Sequence, residues 1–223
     1  MSFALHSRSL LTERDLPRFS EETLFHRVAR AVCKAGCLPR KELFESWEVA
    51  RRARRRLRGG RVVDLACGHA LVAFLMLILD DTSPLAVAAD PEIPPSAARV
   101  AEQLVLAWPR LAGRVQFLRA AIDAVPVQAG DVLVSAHACG GLTDQVLDKA
   151  IAARACVAVL PCCQSTGKND SGGLTGWLDP ALAIDVTRAA RLRSAGYHVL
   201  TQTIPEEITP KNRLLLGWKM GTP

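Results

Sequence analysis

Short apolar runs that alternate with helical stretches constrain the fold of this chain more than any other feature of its sequence. From residue 61 onward, seven runs have the β-branched, apolar character of strands: RVVDLA, LAVAAD, RVQFLRA, GDVLVSAHA, CVAVLPC, YHVLTQTI and RLLLGWKM. Helical patterns follow most of them, which predicts right-handed crossovers and a mostly parallel sheet covered on both faces. The last two runs are joined by EEITPKN, too short for a crossover helix, so the final pair should be antiparallel. We therefore predict a doubly wound, seven-stranded α/β sheet.

Two amphipathic helices are predicted before this sheet. The first ends at Gly36, and the second opens at Pro39 and stops at the glycine pair that precedes the first strand. The chain of 223 residues thus divides into an N-terminal helical, arginine-rich extension, residues 1–58, and a main domain, residues 59–223. We expect the helical pair to lie over the active-site edge of that domain.

Positive charge is concentrated in one short segment. The formal net charge is +6 with a pI of about 9.2, and RRARRRLRGGR, residues 51–61, holds seven arginines. A patch of this kind favours phosphate-rich partners, so we predict an RNA substrate that binds through Arg51–Arg61. A solvated helix face without a partner is the alternative interpretation.

The cysteines and the apolar runs favour a cytoplasmic location. Seven cysteines lie among apolar neighbours, no signal-peptide pattern opens the chain, and the longest apolar run, residues 70–79, has about half the length of a membrane span. We therefore expect reduced thiols and no membrane association. The clusters of Cys33 with Cys37 and of Cys162 with Cys163 lack the spaced second pair of a zinc site, so no metal is predicted.

Chemically distinctive residues lie where the first two predicted strands end, and in a doubly wound sheet ligands bind beyond these ends. Small residues from Ala66 to Ala70 would let a ligand approach the backbone, with helix packing as the alternative, and Asp64 would suit a cationic ligand. Asp90 follows Gly68 by 22 residues and is placed to accept hydrogen bonds from ribose hydroxyls. A lone Asp beside proline is more often a turn-former.

The next predicted strands end in an acid and in a cluster of His and Cys. Asp123 is a candidate to accept a hydrogen bond from an adenine amino group, with a helix cap as the alternative. SAHACGGLTD, residues 135–144, places His137, Cys139 and two glycines at a strand end, which is a poor arrangement for packing alone, although a lone His or Cys there is more often structural. The following strand ends in the pair CC, residues 162–163.

These parts resemble the class I S-adenosylmethionine-dependent methyltransferases, whose fold is Rossmann-like. The resemblance extends over about residues 61–220 and implies S-adenosyl-L-methionine as methyl donor, although Ala66 and Ala70 stand where that family usually has glycine. The H-x-C-G-x-x-T-D stretch and the CC pair are similar to a subgroup that includes zinc-finger-type tRNA ribose 2′-O-methyltransferases and uncharacterised methyltransferase-like proteins. The cofactor-binding residues that the resemblance implies are Asp64, Ala66, Cys67, Gly68, His69, Asp90, Pro91, Ile122, Asp123 and His137.

The same resemblance places the catalytic residues on the fourth strand end. His137 and Asp144 are the predicted bases, and Cys139 is predicted to shape the pocket. The KNR segment, residues 211–213, is expected to approach the acceptor from the final hairpin. A covalent role for the CC pair is disfavoured because neither thiol has an activating neighbour in sequence. Three functions fit: an RNA methyltransferase, a methyltransferase acting on protein or a small molecule, and a non-catalytic cofactor-binding module that binds RNA or serves as a scaffold.

Overall fold

The computed structural model describes residues 3–219, and within them seven strands form one sheet. The strand order is β3-β2-β1-β4-β5-β7-β6. The first five strands are parallel, while β7 is antiparallel to both β5 and β6. This confirms the predicted doubly wound, mostly parallel sheet with an antiparallel last strand; Met220, placed in the last predicted strand, lies outside the described residues. The strands are β1 (Val62–Leu65), β2 (Ala86–Ala89), β3 (Val115–Leu118), β4 (Val132–Ser135), β5 (Cys156–Val159), β6 (Tyr197–Thr203) and β7 (Arg213–Lys219).

The central strands are short apolar runs because helices cover both faces of the sheet. Every residue of β1, β4 and β5 is buried, whereas β3, at the edge, is mostly exposed. The strand order reverses between β1 and β4, where the chain leaves β1 in one direction and β4 in the other. Such a switch point opens a crevice beyond the carboxyl ends of the strands.

Helix α3, with the sequence LVAFLMLIL, is apolar on all sides because it is covered on all sides. It packs against the sheet, and α2 and α4 cover its outer surface. The two N-terminal helices therefore add a further layer outside the usual covering of the sheet. None of the helices described between residues 3 and 219 combines the length and apolar character needed to cross a membrane. The helices are α1 (Leu24–Ala35), α2 (Arg40–Ala53), α3 (Leu71–Leu79), α4 (Ala97–Ala107), α5 (Gly141–Ala153) and α6 (Pro180–Ser194).

The N-terminal helices share one hydrophobic core with the sheet. Val32 of α1 and Leu43 of α2 belong to the same buried cluster as Phe74 of α3 and Val134 of β4. Helix α1 packs on α4, and α2 packs on α3. The predicted division at residues 58 and 59 stays a prediction, and residues 1, 2 and 220–223 of the two predicted segments lie outside the described residues.

Candidate active site

The turn between β1 and α3 holds three residues in the left-handed backbone region. Ala66, Gly68 and Ala70 have φ of 56°, 50° and 60°. Two of these positions carry alanine, at which this conformation is strained by about 1–2 kcal/mol. Apart from Gly68 itself and its two chain neighbours, no heavy atom of the described residues lies within 4 Å of the point where a Cβ of Gly68 would stand. The turn therefore exposes its backbone to the crevice, as the small residues predicted.

Asp90, at the end of β2, is held against this turn by backbone donors. One carboxylate oxygen accepts a hydrogen bond from the Gly68 N–H at 3.2 Å, and the other accepts one from the Glu92 N–H at 3.0 Å. Each oxygen retains a second acceptor site for a donor on a ligand. The carboxylate is thus fixed in orientation before any ligand binds.

A cavity of about 410 Å³ lies over these two features, at the carboxyl ends of β1, β2 and β4. This volume is within the roughly 300–1,000 Å³ that is usual for small-molecule sites. Its lining brings together seven of the predicted cofactor-binding residues: Ala66, Gly68, His69, Asp90, Pro91, Ile122 and His137.

His137, which lines this cavity, has an unpaired ring nitrogen. Its Nε2 is buried and has no hydrogen-bond partner among residues 3–219. Buried polar atoms are nearly always paired, so an unpaired nitrogen of a residue that lines a cavity points to a ligand that supplies the missing partner. Together with the Asp90 carboxylate and the open turn at Gly68, it fits a polar nucleoside ligand.

The chain belongs to a methyltransferase family. Residues 43–169, more than half of the 223 residues, match the family model described as a methyltransferase domain. That span begins in α2 and includes every residue of the cavity lining except Glu42. The prediction of a class I methyltransferase is therefore confirmed, whereas membership of the H-x-C-G-x-x-T-D subgroup stays a prediction.

Solved structures show the same fold. An O-methyltransferase family protein from Burkholderia thailandensis superposes with a TM-score of 0.53 at 19% identity, covering 94% of this chain and 63% of its own. The S-adenosylmethionine-dependent methyltransferase SibL gives 0.52 at 20% identity, with 92% of this chain and 64% of SibL covered. The chain thus spans less than two thirds of the length of these two proteins, and no curated protein sequence matches it. Family and fold support S-adenosyl-L-methionine as the methyl donor, as predicted.

Three of the predicted cofactor-binding residues lie outside the cavity. Asp64 is 2% exposed, and its Oδ2 accepts the Ala73 N–H of α3 at 3.1 Å. Burial raises the pKa of Asp64 to about 8, with Asp90 adding to the rise, so a negative charge for a cationic ligand is disfavoured near neutral pH. Cys67 is buried behind the turn, and Asp123 is exposed outside the lining.

Four cavity residues were missed by the sequence reasoning: Glu42, Ala121, Leu142 and Gln145. Glu42 belongs to α2, and its Oε1 lies 3.4 Å from Nδ1 of His69. The Nε2 of His69 is in turn 2.9 Å from the Ser96 hydroxyl. The only signal for Glu42 was the expectation that the helical pair lies over the active-site edge, which the lining supports.

Asp144 lies outside the cavity and forms ion pairs with arginine side chains. Its two carboxylate oxygens accept hydrogen bonds from the Arg188 guanidinium at 2.8 and 3.0 Å, and Asn169 donates to it at 2.7 Å. Burial alone would raise the pKa of Asp144, but the bonds and charge of Arg188 outweigh that effect and lower it. A carboxylate held in this way is a weak base. The predicted catalytic role of Asp144 therefore finds no support in the geometry, because the residue serves the packing of α5 on α6.

Residues 211–213 also lie outside the cavity. Nδ2 of Asn212 donates to the Ile204 carbonyl at 3.2 Å, and Nε of Arg213 bonds to Asp185 at 2.7 Å. Arg213 lines a second, larger cavity of about 690 Å³ between α6 and the β6–β7 pair. That cavity contains neither the turn after β1 nor the end of β2, so we assign the cofactor to the smaller one.

The arginine segment is divided between structural and exposed side chains. Arg51 and Arg52 pair with Glu48 of α2. Two more pair with partners elsewhere in the chain: Arg54 with Asp80 and Arg61 with Asp131. Within the described part of the chain, the remaining three have no ion pair and are exposed: Arg55, Arg56 and Arg58.

The exposed arginines lie away from the cofactor cavity. Arg56 and Arg58 line a pocket with Val132 and Cys156, the first residues of β4 and β5. That pocket is at the amino ends of the parallel strands, opposite the edge that holds Glu42. Glu42 and Ala53, the last residue of α2, are about 16 Å apart along the helix axis at a rise of 1.5 Å per residue. The exposed arginines follow Ala53 and therefore lie at the far end of α2 from the cavity.

Proposed function

We propose that this chain is an S-adenosylmethionine-dependent methyltransferase with its cofactor in the 410 Å³ cavity. The single observation that carries the proposal is the unpaired, buried Nε2 of His137, a residue that lines the same cavity as the Asp90 carboxylate, which two backbone N–H groups already orient. The free acceptor sites of Asp90 suit the two hydroxyls of a ribose. Ile122 and Leu142 provide apolar walls that suit the face of a purine.

The cofactor supplies a methyl group on a positively charged sulfur, which is already a strong electrophile. The protein's own task is then to position the acceptor, exclude water and remove a proton where the acceptor is a hydroxyl. We assign His137 as the base that accepts this proton, because it lines the cavity and its Nε2 has no other partner among the described residues. Asp144 is not assigned, since Arg188 holds its charge.

We further propose that the acceptor is RNA. The support is the net charge of +6 and the three exposed arginines Arg55, Arg56 and Arg58. Because Arg56 and Arg58 lie at the amino ends of the strands, they would anchor a distant part of an RNA rather than guide its reactive nucleotide. A protein or small-molecule acceptor is the second candidate, and the internal pairing of the other four arginines favours it.

Calorimetry with S-adenosylhomocysteine tests the cofactor site. Asp90→Ala removes a charged acceptor for the ribose and is expected to weaken binding by about 1–3 kcal/mol, or roughly 5- to 150-fold. Glu92→Ala is the matched control, since this neighbouring acid is exposed and its side chain lies outside the cavity lining. Unchanged affinity in Asp90→Ala, or an equal loss in both variants, would contradict the assignment.

Methyl transfer from labelled S-adenosylmethionine to fractionated RNA, protein and small molecules tests the activity. We expect label in RNA, and we expect His137→Ala to lose transfer even at a saturating concentration of S-adenosylmethionine. Label in protein or in small molecules would reject RNA and favour the second candidate. Cofactor binding without transfer to any fraction would indicate the non-catalytic module.

A further inference from the structure

Three thiols from two loops meet at the carboxyl ends of β4 and β5, and none of them is in the lining of the cofactor cavity. Cys139 follows β4, and Cys162 and Cys163 follow β5, the neighbouring strand in the sheet. The Sγ of Cys139 lies 2.9 Å from that of Cys162 and 3.6 Å from that of Cys163. All three sulfur atoms lie within 4.8 Å of one another, and none is in a disulfide.

The sequence places the CC pair near the end of the fourth strand but did not indicate a three-thiol cluster, because Cys139 is 23 and 24 residues away from the pair. Adjacent parallel strands end at the same edge of a sheet, so their loops are neighbours in space. The absence of a spaced second pair argued against a zinc site, but the third thiol comes from the loop after the fourth strand.

We propose that Cys139, Cys162 and Cys163 form a zinc-binding site with three thiolate ligands. Zinc binds thiolate sulfur at about 2.3 Å in a tetrahedral arrangement, which places two ligand sulfurs about 3.8 Å apart. The observed separation of 3.6 Å for Cys139 and Cys163 matches this spacing, and that of Cys139 and Cys162 has to open by about 0.9 Å. Soft thiolate ligands select zinc over magnesium, calcium or manganese.

The metal would hold together the loops that follow β4 and β5. Each thiol releases one proton when it becomes a ligand, so binding converts three thiols and one Zn²⁺ into a three-thiolate complex and three protons. The fourth position is then open to water or to a group of the substrate, which is the ligand pattern of catalytic rather than structural zinc sites. His137 stands two residues before Cys139 and lines the cofactor cavity. This site stands independently of the proposed acceptor.

Metal analysis of the reduced full chain tests the proposal. Purified without chelator, the protein is expected to contain about one equivalent of zinc, and Co²⁺ added to the zinc-free protein is expected to give a sulfur-to-cobalt charge-transfer band. Cys139→Ser, Cys162→Ser and Cys163→Ser should each diminish that band. Cys37→Ser is the matched control, since Cys37 is buried elsewhere with its Sγ 3.6 Å from the Ser96 carbonyl oxygen.

Two results would overturn the site. One is the absence of zinc and of the cobalt band in fully reduced protein that still binds S-adenosylhomocysteine. The other is a band that survives all three substitutions, which would place the metal elsewhere. Retained S-adenosylhomocysteine binding by the three variants separates loss of metal from loss of the fold, and the outcome does not depend on any methyl acceptor.

Discussion

Replacing Arg54 by methionine should destabilise the protein far more than the same change at its neighbour Arg55. Arg54 is 3% exposed, and its guanidinium donates to the Met76 carbonyl at 2.9 Å and to the Ser83 hydroxyl at 2.7 Å. It also lies 3.2 Å from Asp80, which is itself buried. Burial lowers the pKa of Arg54 to about 10, so the side chain stays charged near neutral pH.

The magnitude follows from the partners that the substitution would leave behind. Breaking a buried ion pair by removing one member costs about 3–5 kcal/mol, because the remaining charge stays buried. The Asp80 carboxylate keeps hydrogen bonds from Gly59 at 2.8 Å and Thr82 at 2.6 Å, which favours the lower half of that range. Arg55 is exposed, so Arg55→Met should change the free energy of unfolding by no more than about 0.5 kcal/mol.

Urea unfolding of both variants at neutral pH measures this difference. Equal slopes against denaturant would show that the two variants unfold the same surface, so their midpoints can be compared directly. Arg54→Lys is a useful intermediate, because it keeps the charge but loses the fork of donors. A loss below about 1 kcal/mol in Arg54→Met, or a similar loss in Arg55→Met, would refute the division of the arginine segment into structural and exposed members.

Three further predictions concern charge and backbone strain. Because the folded pKa of Asp64 is about 8 and the ordinary value 3.8, the free energy of unfolding should fall as pH rises between these values. Urea unfolding should show a free energy of unfolding that is lower at about pH 8 than at about pH 5 by on the order of a few kcal/mol, and Asp64→Asn should abolish this difference. Ala66→Gly should raise the melting temperature, since it relieves about 1 kcal/mol of left-handed strain. Replacing Arg55, Arg56 and Arg58 together by glutamine should reduce the salt slope of RNA binding by about 2, and an unchanged slope would exclude phosphate contacts there.

The sequence predicts the sheet well because local patterns determine it. Alternating runs give the strands and crossovers, and the spacing of Gly68 and Asp90 correctly indicates that they meet at one edge. The sequence does not predict which distant residue a side chain will contact. From the sequence, the Asp144 carboxylate is a candidate base, but in the structure it accepts a hydrogen bond from Arg188, 44 residues further along the chain. The same holds for Glu42, which reaches the cavity from a helix outside the sheet's own crossovers.

The insertion of β7 between β5 and β6 has a consequence for synthesis of the chain. Among the described strands, β6 pairs only with β7, so it cannot join the sheet until residues 213–219 have left the ribosome. Until then the edge of β5 that pairs with β7 is open. The apolar inner face of α6, which packs on β6 and β7, is also uncovered. An unpaired edge of this kind recruits other chains. We therefore expect a nascent or truncated form that stops before residue 213 to require chaperones and to aggregate without them.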